Sequence, residues 1–456
     1  MGNQASNKRT APNWIASMAV IVALVIGSAP SANAQLLGGL LGGLLGSSQP
    51  PARLIVRDNL GLLGILNTCL LLGCKVEQTL DGSTGQLFLV TVPSSLNLLN
   101  IVFGLVNQLG IVDIEIDQVV QTSGADATGT PSYLSDKTPV SYYGTTVWHG
   151  YIAQPATQLI RNDAVHSTFQ ANGTGVTVAI IDTGVDTTHP VLQKVLVTGY
   201  DFTRNKTGGN ELVDYTSGTP SSWGASAAVV NQSTVAVLDQ STVAVLDGTK
   251  YAAFGHGTMT AGLVHLVAPN AKIMPLKAFK SDGTAYNSDI LRAIYYASQH
   301  GARVLNMSFN YTLPSYELAQ AINYATVRGA ICVASAGNNG AQTVVYPGAY
   351  WNVIDVASTS NTDNQSSFTN YGAPPVTLAA PGEGVVTLYP FGTYAAGWGT
   401  SFSTPLVAGT AALLVDVNPL CAFNCASNAL GHADWISNPQ LGYGRLDSYS
   451  AVQSLF

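Results

Sequence analysis

A serine stands at the mouth of an apolar helix in Gly399-Thr400-Ser401-Phe402-Ser403-Thr404-Pro405. The small, hydrophobic run Leu406 to Val415 predicts a buried helix, with Pro405 near its start, where a missing N–H costs little. A hydroxyl in that position feels the positive end of the helix dipole and lies beside unpaired N–H groups, a setting suited to an oxyanion. Two other segments supply the remaining groups of an acyl-transfer reaction. Val176 to Ile181 predicts a buried strand that carries Asp182 to its C-terminal edge, ahead of the turn Thr183-Gly184. Phe254-Gly255-His256-Gly257-Thr258 opens a second small-residue helix running to about Leu266, and its glycines leave room for backbone to approach the imidazole. A hydroxyl to attack, an imidazole to carry its proton and a carboxylate to orient the imidazole make a nucleophilic triad.

Along the chain these groups run Asp, His, Ser, the order of subtilisin and not of chymotrypsin or the α/β-hydrolases. On these blocks the chain resembles the subtilisin-like serine peptidases from about residue 140 onward. The resemblance implies that Ser401 attacks the scissile carbonyl, His256 takes its proton and returns it to the leaving amine, and Asp182 fixes the imidazole. A fourth block, the strand Ala330 to Ala334 followed by Ser335-Ala336-Gly337-Asn338-Asn339-Gly340, matches the family's oxyanion motif. The resemblance makes the Asn338 amide one oxyanion donor and the Ser401 N–H the other; losing one such donor typically costs roughly a hundred- to a thousandfold in turnover. It also implies polypeptide substrates and no cofactor. Aspartic peptidases need two Asp-Thr/Ser-Gly motifs and this chain has one; the lipase elbow Gly-x-Ser-x-Gly is absent. The alternative from another class is a catalytically silent, subtilisin-like peptide-binding scaffold. Retention of Asp182, His256, Asn338 and Ser401 together weighs against it.

Buried strands are expected at Val176–Ile181, Lys272–Ala278, Val304–Met307, Ala330–Ala334, Val353–Val356 and Val376–Ala379. Helices are expected at Asn287–His300 and Ser315–Arg328. This alternation predicts an α/β catalytic domain over 140–456, a parallel sheet with helices on both faces and the site at the strands' C-terminal edge. Charged residues are only 9 % of the chain and the net charge is −7. Neither a basic surface nor a basic run is present to bind nucleic acid.

The N-terminus reads as a secretion signal over 1–34: Lys8 and Arg9, then apolar Ile15 to Ile26, then Ala32-Asn33-Ala34. No stable membrane span is expected after its removal, and the protein is expected to be secreted, outside the cell or in the periplasm. Residues 35–52 are a Leu/Gly-rich linker. Residues 53–121 carry the order β-α-β-β-α-β of a small ferredoxin-like α+β fold. By resemblance this is a pro-domain, an intramolecular chaperone and inhibitor whose tail lies in the substrate cleft until it is cut. Residues 122–139 are the expected linker for that cut. A monomer is expected.

Between Asp182 and His256 lies an insertion containing a tandem repeat, 232–239 and 240–247, read as two short strands or a hairpin. The helix from His256 runs straight into Val267-Ala268-Pro269, so the calcium loop that many relatives insert there is missing. The family's acidic ligand after the catalytic aspartate aligns with Val191, and no metal site of that type is expected. The resemblance places Ser308, Phe309, Asn310 and Val345 around the pocket for the residue before the scissile bond (P1). Asn310, Tyr311 and Val345 stand where relatives carry glycine, so small or medium apolar P1 residues are expected. In an oxidising compartment Cys69–Cys74 and Cys421–Cys425 are plausible local disulfides. Cys332 reads as a small buried hydrophobe.

Overall fold

The computed structural model describes residues 52–121, 131–214, 229–230, 235–237, 253–372 and 374–456. The signal sequence, most of the Leu/Gly tract and the second repeat copy lie outside the described residues. The N-terminal domain comprises β1 (Ala52–Asp58), α1 (Gly61–Leu72), β2 (Lys75–Thr79), β3 (Leu87–Val92), α2 (Leu98–Val106) and β4 (Ile111–Ile116). Its antiparallel sheet has the order β2-β3-β1-β4. Alternation along β1 decides what each face covers: Leu54 and Val56 pack with Ile65, Ile101 and Leu105 under the domain's own helices. Ile55, between them, joins the core of the larger domain.

The larger domain opens with a hairpin of β6 (Pro139–Tyr142) and β7 (Thr145–Trp148), β5 being the segment Val119–Gln121 discussed below. Its central strands are β8 (Thr177–Asp182), β9 (Tyr200–Asp201), β10 (Lys206–Thr207), β13 (Lys272–Lys277), β15 (Val304–Met307), β16 (Ile331–Ser335), β17 (Val353–Thr359) and β18 (Leu378–Pro381). They form one sheet in the order β10-β9-β13-β8-β15-β16-β17-β18. Every pairing is parallel except β10 with β9.

Strands buried on both faces read as near-continuous apolar runs, and β8 is an example. Val178 and Ile180 face one core, which holds α3 (His256–Val267) and α6 (Thr400–Val417). Ala179 and Ile181 face the other, which holds α4 (Asn287–Gln299) and α5 (Tyr316–Val327). Among the described residues α6 alone is long and apolar enough to cross a membrane, and it is the buried core helix of this domain. The mostly parallel sheet with helices on both faces agrees with the fold class read from the sequence.

Three differences from the sequence reading have physical causes. The last N-terminal strand, expected to run to Gln121, breaks after Ile116. Its end becomes β5 (Val119–Gln121), which pairs antiparallel with β14 (Thr284–Tyr286) of the larger domain. Residues 131–139, expected as linker, pack on the larger domain: Leu134 is fully buried and the Tyr133 hydroxyl donates to the Gly384 carbonyl at 2.7 Å. Finally, α6 starts at Thr400, so Pro405 lies inside it. Proline removes the N–H that would bond the carbonyl four residues back, here that of Ser401. Ser308 Oγ donates to that carbonyl instead, at 3.0 Å.

In the insertion, β11 (Val229–Val230) and β12 (Val235–Val237) form a hairpin. It extends the sheet of β19 (Val385–Tyr389) and β20 (Thr393–Gly397), with β12 pairing β20. Both local disulfides are formed and Cys332 is free and buried. Burial pushes the Cys332 thiol up to about 12, far from a reactive thiolate.

Candidate active site

Strand β8 ends at Asp182, α3 begins at His256 and α6 begins one residue before Ser401, so the sheet edge gathers all three. His256 Nδ1 lies 2.8 Å from Asp182 Oδ1 and 3.0 Å from Oδ2. The same carboxylate accepts the Thr183 N–H at 2.7 Å, and the Thr260 hydroxyl, 3.1 Å from the Gly257 carbonyl, stands 3.3 Å from its Oδ2. These bonds leave Asp182 one orientation. Burial disfavours a charged His256 ring, but the charge and hydrogen bond of Asp182, with the charge of Glu211, hold it above the ordinary histidine value. Of the glycines flanking His256, Gly257 admits a neighbouring backbone, whereas Gly255 admits a side-chain ring. A Cβ on Gly257 would collide with the Gly184 carbonyl, and Gly255, at φ +92°, has the Tyr389 ring where its Cβ would stand.

Ser401 is buried in the first turn of α6, and its ring neighbour Phe402 lies 6.0 Å from the His256 ring, centroid to centroid. The Ser401 hydroxyl donates to the Ser308 carbonyl at 3.1 Å. A rotation about its side-chain torsion is therefore the step that would turn it to the imidazole; such hydrogen bonds often tighten only when substrate is bound. The Ser401 N–H, in a first turn, has no intrahelical acceptor.

Asn338 follows the end of β16. Its Oδ1 accepts both the N–H and the hydroxyl of Thr400, each at 2.9 Å. The Thr400 hydroxyl also accepts the Gly337 N–H at 3.2 Å, which commits its own proton to Asn338. With the amide oxygen so held, the NH2 end is what Asn338 can offer as a donor. Thr400 lies within the block that carries Ser401, but nothing in its sequence marks it as the anchor.

The expected pocket residues separate into two groups. Ser308 touches Ser401 directly, and the Asn310 side chain lies beside Gly337 and Ser335, next to Asn338. Phe309 instead turns its ring into the core against Phe279, 5.0 Å between centroids, leaving only its backbone for a substrate. Val345 is buried and adjoins Tyr346, whose backbone exchanges two hydrogen bonds with Tyr311 at 2.9 and 2.8 Å.

Two buried charged residues were not foreseen. Glu211 is fully buried against both the Asp182 turn and the start of α3. Lys277, also fully buried, sets its three protons on the Thr183 carbonyl (2.7 Å), Asp214 Oδ2 (2.6 Å) and the Phe279 carbonyl (2.8 Å). Lys277 ends β13 in register with Asp182; Glu211 has no motif around it that sequence reading could have used. Among the described residues no cluster of three His, Cys, Asp or Glu could hold a metal ion.

Residues 173–431 match the family described as the subtilase family. The chain belongs to that family and is a serine-type endopeptidase. It is 36% identical to thermitase of Thermoactinomyces vulgaris over 285 residues, 62% of this chain and 90% of that protein. It is 36% identical to subtilisin BL of Lederbergia lenta over 256 residues, 54% of this chain and 78% of that protein. A solved lanthipeptide protease shares the fold, at a TM-score of 0.53 and 23% identity, over 66% of this chain and 95% of that one.

Proposed function

We propose that this chain is a secreted endopeptidase that cleaves polypeptides through Ser401, His256 and Asp182. The observation that carries the reading is the fixed Asp182–His256 pair facing the first turn of α6, beside an Asn338 amide anchored through its oxygen. In the reaction His256 Nε2 takes the Ser401 proton as the hydroxyl attacks the scissile carbonyl. The developing oxyanion lies between the Ser401 N–H and the Asn338 amide, and Asp182 stabilises the imidazolium. The leaving amine receives the proton, and water releases the acyl group from Ser401. The silent-scaffold alternative gains nothing from this geometry, because a peptide-binding cleft does not require Asp182 to be bonded to the His256 ring and held there by the Thr183 N–H.

The N-terminal domain is read as a pro-domain that templates and then covers the catalytic domain. Its carboxylates cap two catalytic-domain helices: Asp117 accepts the Ser288 N–H at 2.9 Å at the start of α4. Glu115 accepts the Tyr316 N–H at 2.6 Å and the Glu317 N–H at 3.2 Å at the start of α5. Anions at helix N-termini contribute about 0.3–1 kcal/mol each when exposed, and up to ~2 when partly buried. Arg57 adds a forked ion pair to the fully buried Glu317. Removing either partner of a buried pair of this kind typically costs about 3–5 kcal/mol, because it leaves the other charge uncompensated. Because residues 131–139 pack on the catalytic domain, the cut is expected within 122–130. N-terminal sequencing of the secreted product tests this: a new N-terminus in that stretch is expected, and a mature chain still beginning at or before residue 52 contradicts it.

The two hydrogen bonds between Tyr311 and Tyr346 tie the expected pocket walls together, and Val345 fills a glycine position, which supports a short pocket. In a peptide panel varying only P1, cleavage is expected to be fastest after Ala, Val or Leu. Fastest cleavage after Phe, Tyr or Lys would refute the short pocket.

A further inference from the structure

Glu211 lies in the insertion between Asp182 and His256, and no exposed part of it reaches solvent. Its Oε1 accepts the Thr183 hydroxyl and the Gly255 N–H, both at 2.6 Å. Its Oε2 accepts the Thr258 hydroxyl at 2.6 Å and the Thr258 N–H at 3.3 Å. The hydroxyl protons are committed to it. Thr183 Oγ1 already accepts the Gly257 N–H at 2.9 Å, and Thr258 Oγ1 accepts the Asp186 N–H at 2.8 Å. Four donors converging on one carboxylate describe an anion. One of its oxygens is thus bonded to the residue after Asp182 and the residue before His256, and the other to the residue two after His256.

Electrostatics give the clamp a second consequence. His256 occupies the first turn of α3, where the positive end of the helix disfavours a cation. The reaction nevertheless requires an imidazolium there. Asp182 supplies one compensating charge through the ring; Glu211, bonded to two of the helix's leading N–H groups, neutralises the helix end itself. The other groups facing this carboxylate are Asp182, Lys277, which is paired with Asp214, and the Tyr389 phenol. Burial pushes Glu211 up to about 7, against the hydrogen bonds from Thr183 and Thr258 and the charge of Lys277.

We propose that Glu211 is a positioning residue of the catalytic centre, a carboxylate that locks the Asp182 turn to the first turn of α3 and offsets the helix end so that the imidazolium can form. The proposal rests on the triad reading above. Its test is the pH profile of kcat/KM for E211Q, whose acid limb reports protonation of the free enzyme's base. Because Glu211 and His256 titrate within reach of each other, the wild-type limb belongs to the pair, and E211Q leaves His256 to titrate alone. Removing the charge disfavours the imidazolium, so His256 holds its proton less tightly and the limb moves to lower pH. A shift of about half to one unit is expected for one charge lost at short range, with a fall in the plateau of about tenfold. E211D keeps the charge, and its limb is expected to stay where the wild type has it.

A merely structural role would lower the plateau without moving the limb, and an unmoved limb in folded E211Q overturns the proposal. If E211Q does not fold, T183V takes its place: it removes the hydroxyl relaying Glu211 to Gly257 and leaves both carboxyl groups in the chain. It is expected to lower kcat several-fold with KM unchanged, and a wild-type kcat in T183V overturns the clamp. A loss of less than about a hundredfold in folded S401A would instead sink the triad reading itself, so the two failures are distinguishable.

Discussion

Ser401→Ala is expected to lower kcat by about a millionfold, the order of loss when the nucleophile of such a triad is removed. The side chain lost is small and buried, and its single hydrogen bond goes to the Ser308 carbonyl. A bond of that kind contributes about 0.5–1.5 kcal/mol to stability, so the variant should fold and still bind peptide. The Ser401 N–H and Asn338 remain, and a residual rate of about a thousand- to ten-thousandfold over water is expected from them and from binding alone. Steady-state hydrolysis of a peptide, with the thermal midpoint measured alongside, checks both halves. An activity loss explained by unfolding, or a loss of less than about a hundredfold, would contradict the role given to this hydroxyl.

Asp182→Asn is expected to cost about ten-thousandfold in kcat with little change in KM. The size follows from the hydrogen-bond pattern. Asp182 accepts from the ring nitrogen and from the Thr183 N–H, with no donor of its own. An asparagine must turn its NH2 toward one of these donors. Facing the imidazole, it makes Nδ1 the acceptor and puts the ring proton on Nε2, where it cannot take the proton of Ser401. Facing Thr183, it leaves a buried N–H opposite another donor. In either case the charge that stabilises the imidazolium is gone. Separate kcat and KM values for D182N against wild type decide the matter; a change confined to KM would show that Asp182 serves binding and not proton transfer.

Much of the architecture was legible because parallel strands buried on both faces cannot disguise themselves. Val304–Met307 was read without error, and Thr177–Asp182 and Lys272–Lys277 to within a residue. His256 announced itself through flanking glycines whose need is steric: the Gly184 carbonyl occupies the space of a side chain on Gly257. The start of α6 at Thr400 is hidden in the sequence because Pro405 looks like a helix opener. Only a tertiary partner, Ser308, makes a proline tolerable in the sixth position. The crossing of Val119–Gln121 onto Thr284–Tyr286 was equally hidden, since nothing local says which sheet a short strand will join. Glu211 is the hardest case. Its importance comes from four donors supplied by three distant residues, and one acid in a long insertion carries no periodic or motif signal.

The most direct test of the site is to treat the secreted protein with a serine-reactive fluorophosphonate and locate the adduct by mass spectrometry. A single adduct on Ser401, abolished in S401A and strongly slowed in H256A, is the predicted result. An adduct on another serine, or labelling of Ser401 that proceeds at the wild-type rate without His256, would contradict the account.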